Sequence, residues 1–144
     1  MIVIDASVAV KWFFAEPDEE AARDLLEHGQ PLVAPGLIRV EVAAAIVKKA
    51  RLGQVAADDA RAALELWWRA PEEGGLLVVS DERDLRTASD LALALRHPLH
   101  DCVYLALAER LRAPLVTADR VFARAAAERS STVRLLAGFG PSAS

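Results

Sequence analysis

A chain of 144 residues, 53% hydrophobic and 26% charged, fits one globular domain and excludes a disordered polymer. Its net charge of −4 excludes a broad basic surface as the way to hold nucleic acid, unless bound cations change the count. No apolar stretch approaches the ~18 residues of a membrane span, no basic-then-apolar leader opens the chain, and Cys102 has no internal disulfide partner; a cytoplasmic, reducing setting is expected.

Met1-Ile2-Val3-Ile4-Asp5 reads as a short strand buried on both faces, with a carboxylate at its carboxyl end. Open α/β sheets place ligand sites at that edge, so the other elements are expected to build around this strand. Ser7 or Asp5 caps a first short helix, Val8 to about Ala15, whose Trp12, Phe13 and Phe14 serve either the core or a partner chain. Pro17-Asp18-Glu19-Glu20 opens a second helix that runs to Gly29, with acids in the first turn as the helix dipole prefers. Pro31 to Ala34 reads as a second strand. Pro35-Gly36 then starts a long apolar helix reaching Leu52-Gly53, and Glu41 falls on its apolar stripe. A carboxylate there needs compensation, and Lys48 two turns on is one candidate.

A further helix spans about Val55 to Ala70 and ends in Trp67-Trp68. Leu76 to Val79 is a third strand, followed by a helix from about Asp81 to Leu95. After Pro98, His100-Asp101 starts a helix to about Arg112, with Tyr104, Leu105, Leu107, Ala108 and Leu111 as its inner face. Pro114 to Thr117 is a fourth strand ending at Ala118-Asp119, and a helix follows to about Arg129. Thr132 to Leu136 adds an edge strand, and the tail from Gly138 to Ser144 reads as loose. Strands alternate with helices throughout. The expected fold is a three-layer α/β/α sandwich with a mostly parallel sheet, one domain over residues 1–144.

Four carboxylates stand out by position. Asp5 and Asp119 each end a strand, Asp101 begins a helix, and Glu41 is embedded in an apolar helix face. Singly, each has a structural explanation: a helix cap for Asp5, Asp101 and Asp119, an ion pair for Glu41. Jointly, a parallel sheet brings strand ends and the following helix starts to one edge, where four unpaired carboxylates would repel. Hard divalent cations relieve that repulsion; Mg²⁺ takes oxygen ligands and keeps several waters. Ser7 and Thr117 are placed to orient the acids through their hydroxyls. Such a cluster without His or Cys ligands suits metal-assisted phosphodiester hydrolysis. Two divalent ions would take the formal charge from −4 to 0. From residue 97 onward six Arg face four acids, which makes Arg120, Arg124, Arg129 and Arg134 candidates for phosphate, with Lys48-Lys49-Arg51 in support. A solvated helix face is the alternative. No Gly-rich phosphate loop and no Ser-centred elbow occur, Pro98 spoils His97 and His100 as a zinc pair, and Cys102 reads as a small core residue.

At these residues the sequence resembles the PIN-domain ribonucleases, in particular the VapC-like toxins of type II toxin–antitoxin pairs. The resemblance is carried by Ile2-Val3-Ile4-Asp5-Ala6-Ser7 with Val10-Lys11-Trp12-Phe13, by Val40-Glu41-Val42, by the run from His100 to Ala108, and by the run from Pro114 to Arg120. It implies an endoribonuclease dependent on Mg²⁺ or Mn²⁺, with Asp5, Glu41, Asp101 and Asp119 as its catalytic acids and metal ligands. Whether Glu41 completes the metal shell or helps deprotonate the attacking water stays open. The resemblance also implies a homodimer, and inhibition by an antitoxin lying over the early helices. Trp12, Phe13 and Phe14 would then meet that partner, with Trp67 and Trp68 in the same groove or at the dimer contact. Arg120-Val121-Phe122-Ala123-Arg124 departs from relatives that carry a further acid there. Two other classes were weighed. A phosphotransfer or phosphatase domain would want acids adjacent to, or two residues after, Asp5, where this chain has Ala6 and Ser7. A non-catalytic interaction module would keep the fold without turnover.

Overall fold

The structure, a computed structural model, describes residues 1–130 and 132–139. Five strands form one parallel sheet: β1 (Ile2–Ile4), β2 (Leu32–Pro35), β3 (Leu77–Val79), β4 (Leu115–Thr117) and β5 (Val133–Leu135). Their spatial order is β3-β2-β1-β4-β5, so the first strand is the central one. Ile2, Val3 and Ile4 are all buried, as a strand covered on both faces requires. The chain builds outward from β1 through β2 to β3, then returns to the other side of β1 with β4 and β5. The order therefore reverses between β1 and β4, where Val3 pairs with Leu115 and Ile4 with Val116. That junction is the sheet's topological switch point, the crevice where open α/β sheets bind their ligands.

Seven helices flank the sheet: α1 (Ala6–Ala9), α2 (Glu19–Glu27), α3 (Leu37–Arg51), α4 (Ala57–Arg69), α5 (Glu82–Leu95), α6 (Leu99–Leu111) and α7 (Arg120–Ala127). Helix α6 lies against β1, β2 and β4, and its buried Tyr104, Leu105, Leu107 and Ala108 form the expected inner face. Helices α5 and α6 pack on each other and share an ion pair between Asp84 and Arg110.

Three expectations need correction. The first helix does not continue to Ala15: α1 ends at Ala9 and tightens into a 3-10 turn over Val10–Trp12. The tight turn aims Trp12 so that its indole N–H donates to the Ala22 carbonyl at 2.8 Å, tying this segment to α2. The tail is held further than expected, because Gly138 closes a 3-10 turn over Leu136–Gly138 and Phe139 packs on the core. Residues 140–144 of that tail lie outside the described residues. Finally, Asp101 does not cap α6. The helix begins at Leu99, and Pro98 holds the cap position.

Candidate active site

Asp5 leaves the central strand at the switch point and is 4% exposed. Its Oδ1 accepts from the Ser7 backbone N–H (3.1 Å), which caps α1, and from the Ser7 hydroxyl (2.5 Å). Its Oδ2 accepts from the Thr117 hydroxyl at 2.5 Å. Those hydroxyls are themselves tethered: Ser7 Oγ accepts from the Ala118 N–H at 2.9 Å and Thr117 Oγ1 from the Asp119 N–H at 3.0 Å. Ser7 and Thr117 thus belong to a hydrogen-bond network that stitches β1 to β4. Burial lifts the Asp5 carboxyl to about 6, with Asp101 adding to the rise, against the opposing pull of the Ser7 and Thr117 hydroxyls.

Asp101 sits in the first turn of α6 between two imidazoles. His97 Nε2 lies 2.7 Å from Oδ2, and His100 Nε2 lies 3.4 Å from Oδ1. The His97 ring also stacks on Phe122 of α7, with centroids 5.2 Å apart. One turn further along α6, the buried Tyr104 hydroxyl donates to Glu41 Oε1 at 2.8 Å. Lys48 is exposed and plays no part, so the compensation for Glu41 comes from another helix. Partial burial raises the Glu41 carboxyl and Asp101 raises it further, while the Tyr104 bond and His100 act downward. Glu41, Asp5 and Asp101 all push the Tyr104 phenol upward, beyond the effect of its burial. Asp5, Glu41 and Asp101 therefore share one electrostatic neighbourhood with Tyr104 among them.

Asp119 follows β4 and caps α7, its Oδ1 accepting from the Val121 and Phe122 N–H groups at 2.9 and 3.0 Å. It joins the network through its own N–H on Thr117. Arg120 and Arg124 are exposed on α7, the first of them adjacent to Asp119, and neither forms an ion pair among the described residues.

No group of three or more His, Cys, Asp or Glu side chains among the described residues is arranged to hold a metal ion. The donor chemistry nonetheless fits one kind of cation. Asp5 and Glu41 carboxyls both raised by burial and by Asp101, with oxygen donors alone around Asp5, suit a hard divalent ion bound through one or two carboxylates and water. They do not suit a closed protein cage.

The aromatic residues divide. Trp12, Phe13 and Phe14 are half-buried and line a cavity of about 420 Å³ with Val55, Ala62 and Leu66. A second cavity of about 360 Å³ opens on the other side of Phe13, towards Leu26 and Ala70. Trp67 is 1% exposed: its indole N–H donates to the Arg39 carbonyl (3.1 Å) and its ring meets Phe13 edge-on. Its expected place in a partner contact is therefore corrected to core packing. Trp68, 40% exposed, is the one of the pair that presents surface.

Sequence reasoning missed Tyr104, His97 and His100 as members of the site. Tyr104 was legible, being three residues after Asp101 and so on the same helix face. His97 was not, because Pro98 lies between it and α6 in an extended conformation that no helical spacing describes.

Five parallel strands with acids gathered at the switch point define the class, an α/β domain with an acidic site at its carboxyl edge. The chain belongs to the PIN domain family, which matches residues 2–128. It is similar to Ribonuclease VapC3 of Pyrobaculum aerophilum, at 35% identity over 124 residues that cover 85% of this chain and 92% of that protein. Its fold is similar to the crystal structure of PAE2754 from Pyrobaculum aerophilum, with a TM-score of 0.70 at 22% identity over 94% of this chain and 89% of that one. A toxin–antitoxin complex from Klebsiella pneumoniae gives a TM-score of 0.63 at 17% identity, over 94% and 98%. No helix among the described residues is long and apolar enough to cross a membrane.

Proposed function

We propose that this chain is an endoribonuclease toxin of a toxin–antitoxin pair, hydrolysing RNA phosphodiester bonds with Mg²⁺ or Mn²⁺. The observation that carries this reading is Asp5: a carboxylate buried at the switch point, raised by that burial and by Asp101, which also acts on Glu41, and held by hydroxyls and an N–H with no protein cation. When bound, a divalent ion supplies charge neutralisation at the scissile phosphate and lowers the pKa of water for attack. Asp5, Glu41, Asp101 and Asp119 are the acids from which its one or two direct ligands would come, the others acting through bound water. Ser7 and Thr117 hold Asp5 in place, and Arg120 and Arg124 offer phosphate contacts beside Asp119. Membership of a family with a ribonuclease relative supports RNA as substrate.

The antitoxin would lie along Trp12, Phe13 and Phe14. The two cavities flanking Phe13 support that placement, since apolar grooves of this kind accept side chains from an amphipathic segment. Trp68 is the candidate for the edge of that groove or for a homodimer contact.

The decisive experiment is cleavage of a mixed RNA pool by the purified protein without antitoxin, in Mg²⁺, Mn²⁺ or EDTA, beside Asp5→Asn. Metal-dependent cutting that the variant loses is the expected result. Cutting that survives both EDTA and the substitution would overturn the four-acid site. A folded, metal-binding protein that cuts nothing would point to the interaction module.

A further inference from the structure

We infer that Tyr104 is a positioning residue for Glu41, fixing which of its carboxylate oxygens serves the acid site; the inference rests on the metal-dependent reading above. The phenol hydroxyl donates to Glu41 Oε1 at 2.8 Å, while nothing among the described residues donates to Oε2. The Tyr104 ring is only 1% exposed and packed in the core of α6, so its hydroxyl has no freedom to swing towards solvent. Glu41 is different. It stands half-buried on α3 with three rotatable side-chain bonds, and without a partner its carboxylate would sample several rotamers. A rigid donor on one oxygen removes that freedom and turns Oε2, the oxygen without a protein donor among the described residues, towards a cation or an attacking water.

A buried tyrosine needs some acceptor, so the bond alone admits a purely structural reading. Two features argue for more. The acceptor chosen is a carboxylate that also feels Asp101, not a backbone carbonyl of the surrounding helices. In addition, Tyr104 lies one helical turn from Asp101, so α6 both carries one acid and anchors a second that belongs to α3. The placement of Glu41 relative to Asp101 is thereby tied to the rigid spacing of one helix, although Tyr104 and Glu41 lie 63 positions apart in sequence.

Calorimetric binding of Mn²⁺ alone tests this, in a cycle of wild type, Tyr104→Phe, Glu41→Ala and the double variant, with RNA cleavage as a second readout. Tyr104→Phe keeps the ring and its packing, and its cooperative thermal unfolding should match wild type within a few degrees. The expected result is Mn²⁺ affinity weaker by about 10-fold or more in Tyr104→Phe, with no further loss when the same change is made in Glu41→Ala. An unchanged affinity, an equal loss in both backgrounds, or a wild type that binds no Mn²⁺ would each overturn the inference. A wild type that shows the expected cycle and yet cuts no RNA would sink the nuclease reading and leave the positioning of Glu41 standing.

Discussion

Asp5 and Asp84 are equally buried, each 4% exposed, and the molecule treats them in opposite ways. Asp84, on α5, receives a two-pronged guanidinium: Arg110 Nε and Nη2 donate to its two oxygens at 2.6 and 2.8 Å. Its negative charge is met by a guanidinium that reaches in from the exposed face of α6, as a buried charge normally requires. Asp5 receives three donors and no cation, and its nearest charged influence is another carboxylate, Asp101. Hydrogen bonds satisfy its lone pairs but leave its charge standing. Two carboxylates at the same depth thus mark two purposes. One staples α5 to α6, and the other is left without a protein cation at the switch point, where the proposed divalent ion would sit.

Breaking the staple should have the largest effect on stability. Arg110→Met removes both hydrogen bonds from the buried Asp84 carboxylate and should cost about 3 kcal/mol in urea unfolding, less than a fully buried pair because the Arg110 end is exposed. Adding Asp84→Leu to that variant should recover most of the loss, because an apolar pair of similar volume replaces the ion pair. No recovery would mean that the guanidinium matters for packing more than for charge.

The opposite sign is expected at Asp5. Its folded carboxyl titrates at about 6 against 3.8 for the free group, so between those values the folded chain holds a proton that the unfolded chain has released. Stability from this group is therefore greatest below about 3.8, falls as pH rises, and reaches its full loss above about 6. The shift of roughly 2 units corresponds to about 3 kcal/mol. Metal-free Asp5→Asn, which mimics the neutral form, should match wild type near pH 4 and exceed it by up to about 3 kcal/mol at pH 7.5. Saturating Mg²⁺ should narrow that gap by stabilising wild type alone. A variant less stable than wild type at pH 7.5 would refute this account of Asp5.

Thr117→Val should give the smallest of the three effects. It keeps the shape of the side chain and removes one donor to Asp5 Oδ2, at a cost of about 1.5–3 kcal/mol at pH 7.5, where the carboxylate is charged. At pH 4 the cost should shrink, since the hydroxyl then faces a neutral group; a pH-independent cost would assign Thr117 to its bond from the Asp119 N–H and to packing, not to Asp5.

Much of the architecture was legible because it depends on local pattern. The runs at Ile2–Ile4 and Leu115–Thr117, each followed by a carboxylate, predicted strands with acids at one edge of a parallel sheet; that β1 and β4 lie side by side came only from the structure. The extent of α1 was not legible, because Val8 to Ala15 is apolar on most faces and carries no stop signal where the helix tightens at Val10. The partner of Glu41 was misread because helical spacing favoured Lys48 on the same element, whereas a donor 63 residues away won. Trp67 and Trp68 are adjacent, and composition cannot separate them. About 100° of helix rotation sends one into the core and leaves the other exposed.

The stitching of Asp5 to Thr117 has a consequence in time as well as space. The two residues are 112 positions apart, so the hydroxyl that holds Asp5 Oδ2 is among the last parts of the domain to be synthesised. Strand β4 must also enter in the correct register, since a slip of one residue would turn Thr117 to the opposite face of the sheet. A nascent or misregistered chain therefore carries Asp5 without its anchor. Asp5 thus takes up its held position only after β4 has paired with β1.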